Sequence, residues 1–179
     1  YEAYARKNKL SADASTLGWY LSSKKNWKAA ADLFRQALEW PVQTRDDGAV
    51  LEEPTKMAEG YILALKNLER FEEAEQVAFK WGTRSESVRA MFLDILGEAL
   101  LKAPVNIDFT PERLGRYALL VSTARSVFGT QALGWYHFNR QHWEEAVPWF
   151  QSSLEWSAAD KQDTTTAEGL GVALRSANR

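Results

Sequence analysis

The chain has no cysteine among its 179 residues and only two histidines. No disulfide framework and no thiolate metal site can be built from it, and the missing thiols suit a reducing or an oxidising compartment equally. Prolines are few, at five, and a composition 45% apolar and 26% charged excludes a disordered chain. The formal charge of -2 leaves no basic surplus for holding nucleic-acid phosphates, so no nucleic acid is expected as a partner. No apolar run approaches the roughly 18–20 residues that cross a bilayer, which argues against direct membrane insertion. Strand patterns are missing too. The Asp47-Gly48 step sits among linker charges, not between alternating runs.

What the chain does have is helical periodicity, and it is written twice. LGWYLSSKKNWKAAADLFRQALEW (17–40) and LGWYHFNRQHWEEAVPWFQSSLEW (133–156) share 10 of 24 positions at an offset of 116. In the first copy Leu17, Tyr20 and Leu21 mark one apolar stripe, and Trp27, Ala30, Ala31, Phe34, Ala37 and Leu38 a second. The interruption at Lys24, Lys25 and Asn26 is short enough to force an antiparallel turn. The later copy repeats this with Leu133, Tyr136 and His137 before the turn and Trp143, Ala146, Val147, Phe150 and Leu154 after it. A third hairpin is read in residues 57–81. Its first helix, AEGYILALKNLER (58–70), returns as AEGLGVALRSANR (167–179) with 6 of 13 positions identical. The linkers PVQTRDDGAVLEEPT and SAADKQDTTT differ in length, which accounts for the difference between the two offsets. Between the copies a strongly apolar helix over 87–103 precedes the loop APVNIDF. Thr110 then caps a helix that opens on Pro111 and Glu112 and is expected to run to about Val127.

The expected architecture is all-α, a single domain over 1–179 with hairpins at about 11–40, 54–82, 84–127 and 129–157 and a truncated one at 161–179. The chain opens YEAYARKNKL without an initiator Met and stops at ALRSANR in mid-helix, so it reads as a piece of a longer protein.

The elements of enzyme chemistry do not assemble. His137 and His142, five apart, lie on different helix faces or across a turn and lack an HExxH spacing, so neither metal nor cofactor is expected. Glu72-Glu73 and Glu144-Glu145 open second helices, where negative side chains complement the helix dipole without catalysis. Gly169-Leu170-Gly171 is half of a phosphate-loop pattern with no strand before it. No Ser falls at a recognised spacing from a His and an acid. Arg45, Asp46, Asp47, Glu52 and Glu53 read as a solvated linker, and Pro148 as falling in the early turns of its helix, where a missing N–H costs little.

Leu17-Gly18, Trp27, Ala30, Phe34 and Ala37, with Leu133-Gly134, Trp143, Ala146 and Phe150, stand at the spacings of a tetratricopeptide repeat, and the chain resembles that family over most of its length. The resemblance implies a right-handed α-solenoid of stacked antiparallel helical hairpins. Ala30, Ala74 and Ala146 would be the close-contact positions and Trp27, Phe71 and Trp143 the aromatic wedges. Trp27, Trp143, Trp40 and Trp156 are then expected to be inter-helix filler. It also implies a concave groove lined by Trp19, Ser22 and Ser23 from the first hairpin and by Glu59, Leu63, Lys66 and Asn67 from the second. Trp135, Phe138 and Asn139 would follow from the fourth, and Glu168, Val172, Arg175 and Ser176 from the last helix. Such a mixed surface suits a protein partner, as an extended peptide or a helix, and the expected function is a non-catalytic interaction scaffold. The GWY…ALEW and AEG…AL flavour also resembles the periplasmic repeat regions of bacterial exopolysaccharide secretion proteins. That likeness implies a periplasmic bridge within a synthesis and export complex, with groove aromatics touching polysaccharide.

Overall fold

The computed structural model describes residues 2–44, 46, 48, 53–158 and 163–178, and its regular structure is ten α-helices with no strand among the described residues. They are α1 (Glu2–Asn8), α2 (Ser11–Ser23), α3 (Trp27–Glu39), α4 (Pro54–Asn67), α5 (Phe71–Gly82), α6 (Glu86–Lys102), α7 (Pro111–Ala124), α8 (Val127–Asn139), α9 (Trp143–Trp156) and α10 (Thr164–Ala177). Arg45, Asp47 and Glu52 of the expected linker lie outside the described residues, as do residues 161, 162 and 179 of the last expected hairpin. Asp46 and Glu53 are exposed. No described helix is long and apolar enough to cross a membrane.

One turn is used five times. Lys9, Lys25, Glu69, Arg125 and Gln141 follow α1, α2, α4, α7 and α8 at φ values from 48 to 61°, and none is a glycine. In each, the next amide reaches back five residues to a helical carbonyl: Leu10 to Ala5, Asn26 to Leu21, Arg70 to Leu65, Ser126 to Val121 and His142 to His137, at 2.9–3.0 Å. This closure satisfies carbonyls that the helix end would otherwise leave open. A connection so short, between helices that pack on each other, makes the pair antiparallel.

Two compact units divide the chain, Tyr1–Phe92 and Leu93–Arg179, with the boundary inside α6. In the first, α3 packs on both α2 and α4, α5 packs on α4, and α1 leans on α2. The centre is Phe34, fully buried. A Cβ added to Gly18 on α2 would lie 3.0 Å from its ring, and one added to Gly60 on α4 would clash with it, 2.3 Å from the nearest ring atom. Two glycines thus let two helices close on one phenylalanine, whose burial alone stabilises the unit by about 1.5–3 kcal/mol. The stripe Ala58, Ile62 and Leu65 on α4 is wholly buried, as are Ala74 and Ala78 on α5. Phe79 and Phe92 meet at 5.7 Å between ring centroids and tie α5 to the start of α6.

The second unit repeats the arrangement. Phe150 on α9 is fully buried, a Cβ on Gly134 of α8 would lie 2.5 Å from it, and one on Gly169 of α10 3.3 Å. Around α7, the buried Tyr117 hydroxyl donates to the Leu93 carbonyl at 3.0 Å, and burial pushes that phenol well above its ordinary pKa. Thr110 caps α7 by accepting from the Arg113 amide.

Three local expectations are corrected. Helix α7 stops at Ala124, not near Val127, because Arg125 turns left-handed and Ser126 caps α8 by accepting from the Gly129 amide at 3.0 Å. Pro148 is the sixth residue of α9, beyond the first turn, so its missing N–H removes an intrahelical bond while the helix continues through it. Phe71 is 51% exposed, so it is not buried as a wedge. Trp143 packs edge-on against Phe138 at 5.0 Å, whereas the repeat places Lys66, not a ring, at the corresponding position near Phe71. Ala30, Ala74 and Ala146 are all fully buried.

Candidate functional site

The two tryptophans that follow the Leu-Gly steps hold the same geometry. Trp19 meets Phe34 at 5.1 Å and 73°, and Trp135 meets Phe150 at 4.9 Å and 67°, both edge-on. A Cβ on Gly169 would lie 2.8 Å from the Trp135 ring, so α10 presses on it directly. Both rings are half-buried, each with one edge on a buried phenylalanine and part of its surface open. Edge-to-face pairs of this kind contribute about 0.5–1.5 kcal/mol beyond burial.

The other expected groove residues fall into two sets. In the first unit, Ser22 is buried and its hydroxyl has no hydrogen-bond partner, while Ser23 is exposed and donates to the Tyr20 carbonyl. On α4, which touches α2, Glu59 accepts from Lys56 Nζ at 2.9 Å and from Ser87 Oγ. Leu63 and Asn67 are exposed, and the Asn67 amide donates to the Leu63 carbonyl. Lys66 is half-buried. In the second unit Phe138 bridges Trp135, at 5.0 Å, and Trp143. Asn139, Glu168, Val172 and Arg175 are exposed, and Ser176 lines a shallow 320 Å³ hollow with Gln141, His142, Trp143, Glu144, Glu145 and Ala177. The helices that carry this set, α8 and α10, also touch, and Gln131 donates across them to Thr166 at 3.2 Å. Of the remaining tryptophans, Trp40 packs against the Ala14, Leu33, Ala37 and Met57 cluster. Arg125 lies over Trp156 at 5.6 Å.

Arg140 was not anticipated from the sequence. Its side chain is 3% exposed, with Nε on Asp108 at 2.8 Å and the remaining nitrogens on the carbonyls of Pro104, Ile107 and Tyr136. The guanidinium also lies 3.8 Å from the Tyr136 ring centroid, and Tyr136 accepts from the Phe109 amide at 2.9 Å. Together they pin the loop between α6 and α7 onto α8. The available signal was weak: Arg140 matches only a lysine, Lys24, in the other copy.

The histidines are a turn contact. His137 occupies the helix position of Leu21 and Leu65, and His142 follows the left-handed residue, so the rings face each other across the turn at 6.1 Å. His137 Nδ1 is buried without a partner. Burial lowers its pKa; Glu145 opposes that, while His142 and Arg140 add to it. Among the described residues no three His, Cys, Asp or Glu side chains cluster as a metal site. No family model matches the chain, and no curated protein matches it.

Proposed function

We propose that this chain is a non-catalytic interaction scaffold of tetratricopeptide-repeat type, a right-handed solenoid of hairpins in which the α2 and α4 surface of the first unit and the α8 and α10 surface of the second each dock a peptide or helix. The observation that carries the reading is the repeated shelf in which a half-buried tryptophan stands edge-on to a buried phenylalanine between two glycine-bearing helices. An aromatic ring fixed on one edge and open on another is pre-organised for contact at little entropic cost. Exposed Leu63, Asn67, Asn139 and Arg175 supply the apolar, amide and cationic contacts that would orient a partner.

A second reading, a periplasmic scaffold of exopolysaccharide export whose aromatics contact the sugar chain, draws support from the Trp135, Phe138 and Trp143 ring network. Tryptophan fluorescence of the chain, titrated with peptides and with soluble oligosaccharides, separates the two. Saturable quenching by peptide that is lost in Trp135→Ala, with melting unchanged, supports the first. Saturation only by glycans supports the second, and a large loss of stability in Trp19→Ala and Trp135→Ala without any ligand response defeats both.

A further inference from the structure

A tryptophan closes the sequences ALEW (37–40), AFKW (78–81) and SLEW (153–156), at the ends of α3, α5 and α9. Glutamate precedes the ring in the first and last, as Glu39 and Glu155, and Lys80 replaces it in the middle one. That exchange belongs to a local gathering of positive charge. Residues 79–90, FKWGTRSESVRA, set Lys80, Arg84 and Arg89 against the single carboxylate of Glu86, in a chain whose formal charge is -2.

The fold draws these cations together where α5 meets α6, within the first unit. The Arg84 amide donates to the Trp81 carbonyl at 2.9 Å, and this tight turn sets the guanidinium over the indole, 5.2 Å from the ring centroid. Lys80 Nζ lies 6.0 Å from the same centroid, and both cations are exposed. A Cβ on the buried Gly82 would come to 3.3 Å from the Arg89 backbone, so the missing side chain lets α6 close on the end of α5 and brings Arg89 alongside. Among the described residues none of the three makes an ion pair. Glu59 of α4, which reaches this junction, is already held by Lys56 and by Ser87 of α6. Glu86 is exposed in the first turn of α6, where it complements the helix dipole. The dipole of α5 accounts for Lys80 in its last turn. It does not account for Arg84, past the helix end, or for Arg89, in the opening of α6 where a cation is disfavoured.

We infer that this junction binds an acidic peptide segment, Arg84 taking a carboxylate in its planar fork and Lys80 and Arg89 meeting its neighbours. A guanidinium resting on an aromatic face is ordered before a partner arrives, and it keeps its N–H donors for a bidentate carboxylate. Two like charges held over one ring repel each other, and an anion set between them relieves that repulsion. The cations are not residues of the surfaces proposed above, so either proposal can fail without the other.

The test is anisotropy of fluorescein-labelled hexaglutamate titrated with the chain at low salt. Saturable binding is expected, weakened about tenfold or more by Arg84→Gln, the loss of one charge-assisted pair. Arg84→Lys, which keeps the charge but not the fork, should weaken it by a smaller factor. Lys24→Gln removes an equal charge from the exposed turn between α2 and α3 and should leave the affinity within about twofold, since salt screens distant charges. Circular dichroism melting of Arg84→Gln should match wild type, because the side chain is exposed. Absence of saturation, indifference to Arg84→Gln, or an equal loss in Lys24→Gln overturns the inference. So does tighter capture of a labelled sulfated oligosaccharide with the same dependence on Arg84, since the partner is then a glycan.

Discussion

At the scale of single residues, the second unit holds two side chains whose environments make definite demands. His137 fills a seam position where the other hairpins use leucine, and it leaves Nδ1 buried without a partner. An unsatisfied buried polar atom costs about 1–3 kcal/mol, so His137→Leu should raise stability in urea titrations by an amount of that order. The pH dependence follows from the same burial. The folded ring resists protonation while the unfolded ring takes a proton near its ordinary value of 6.5. Stability is therefore at its full value above that pH and falls as the pH drops below it, levelling off once the folded ring also protonates. Melting temperatures measured between pH 7.5 and 5 should show this fall in wild type and a flatter profile in His137→Leu. Arg140 is the opposite case, a buried cation whose nitrogens all have acceptors. Arg140→Lys keeps the charge but loses the planar fork, and should cost about 2–3 kcal/mol by chemical denaturation. Asp108 is 72% exposed, so Asp108→Asn should cost less than about 1 kcal/mol. Comparable losses in the two variants would mean that the ion pair, not the three carbonyls, fixes the loop. The sequence showed that His137 faces the seam. It did not show that Arg140 reaches a loop more than thirty residues earlier, because no local pattern encodes a contact of that range.

At the scale of elements, helix periods and short breaks were enough to place α2 to α5 and α8 to α10, since amphipathic stripes and tight turns are local properties. The misplaced end of α7 has a local cause. Arg125 takes left-handed backbone without being glycine or asparagine, and the tertiary fold supplies what propensity lacks. For that reason the break at Arg125 was read as continuing helix. Gly60 makes a sharper demand at this scale. A Cβ there comes to 2.3 Å from the Phe34 ring, so Gly60→Ala should destabilise the chain by about 1–3 kcal/mol despite better helix propensity. Gly115, in the middle of α7, has nothing within 4 Å of an added Cβ, and Gly115→Ala should instead stabilise by about 0.5–1 kcal/mol. Thermal melts of the two variants should move in opposite directions, and a shared direction would show that propensity outweighs the Phe34 contact.

At the scale of the whole molecule, the legible part was the repetition itself. The offset of 116 residues places Phe34 and Phe150, Gly18 and Gly134, and Trp19 and Trp135 in matching surroundings within their units. The candidate surface was less legible. Composition of the expected groove gives no partner, and the half-burial of its tryptophans emerges only when α4 and α10 are laid beside them. Ile62 and Ala78, both fully buried, stand sixteen residues apart as Gly18 and Phe34 do but with large and small exchanged, and this has a consequence for how such a chain changes over generations. A seam of glycine and phenylalanine and one of isoleucine and alanine are separated by two substitutions, and neither single step is neutral: one order crowds the seam and the other hollows it. The hollow intermediate costs about 3–5 kcal/mol and the crowded one about 1–3 kcal/mol, so either order of drift between them crosses a weakened chain. A duplicated hairpin therefore stays tied to its own second helix, and recombination that splits the pair joins halves that no longer fit.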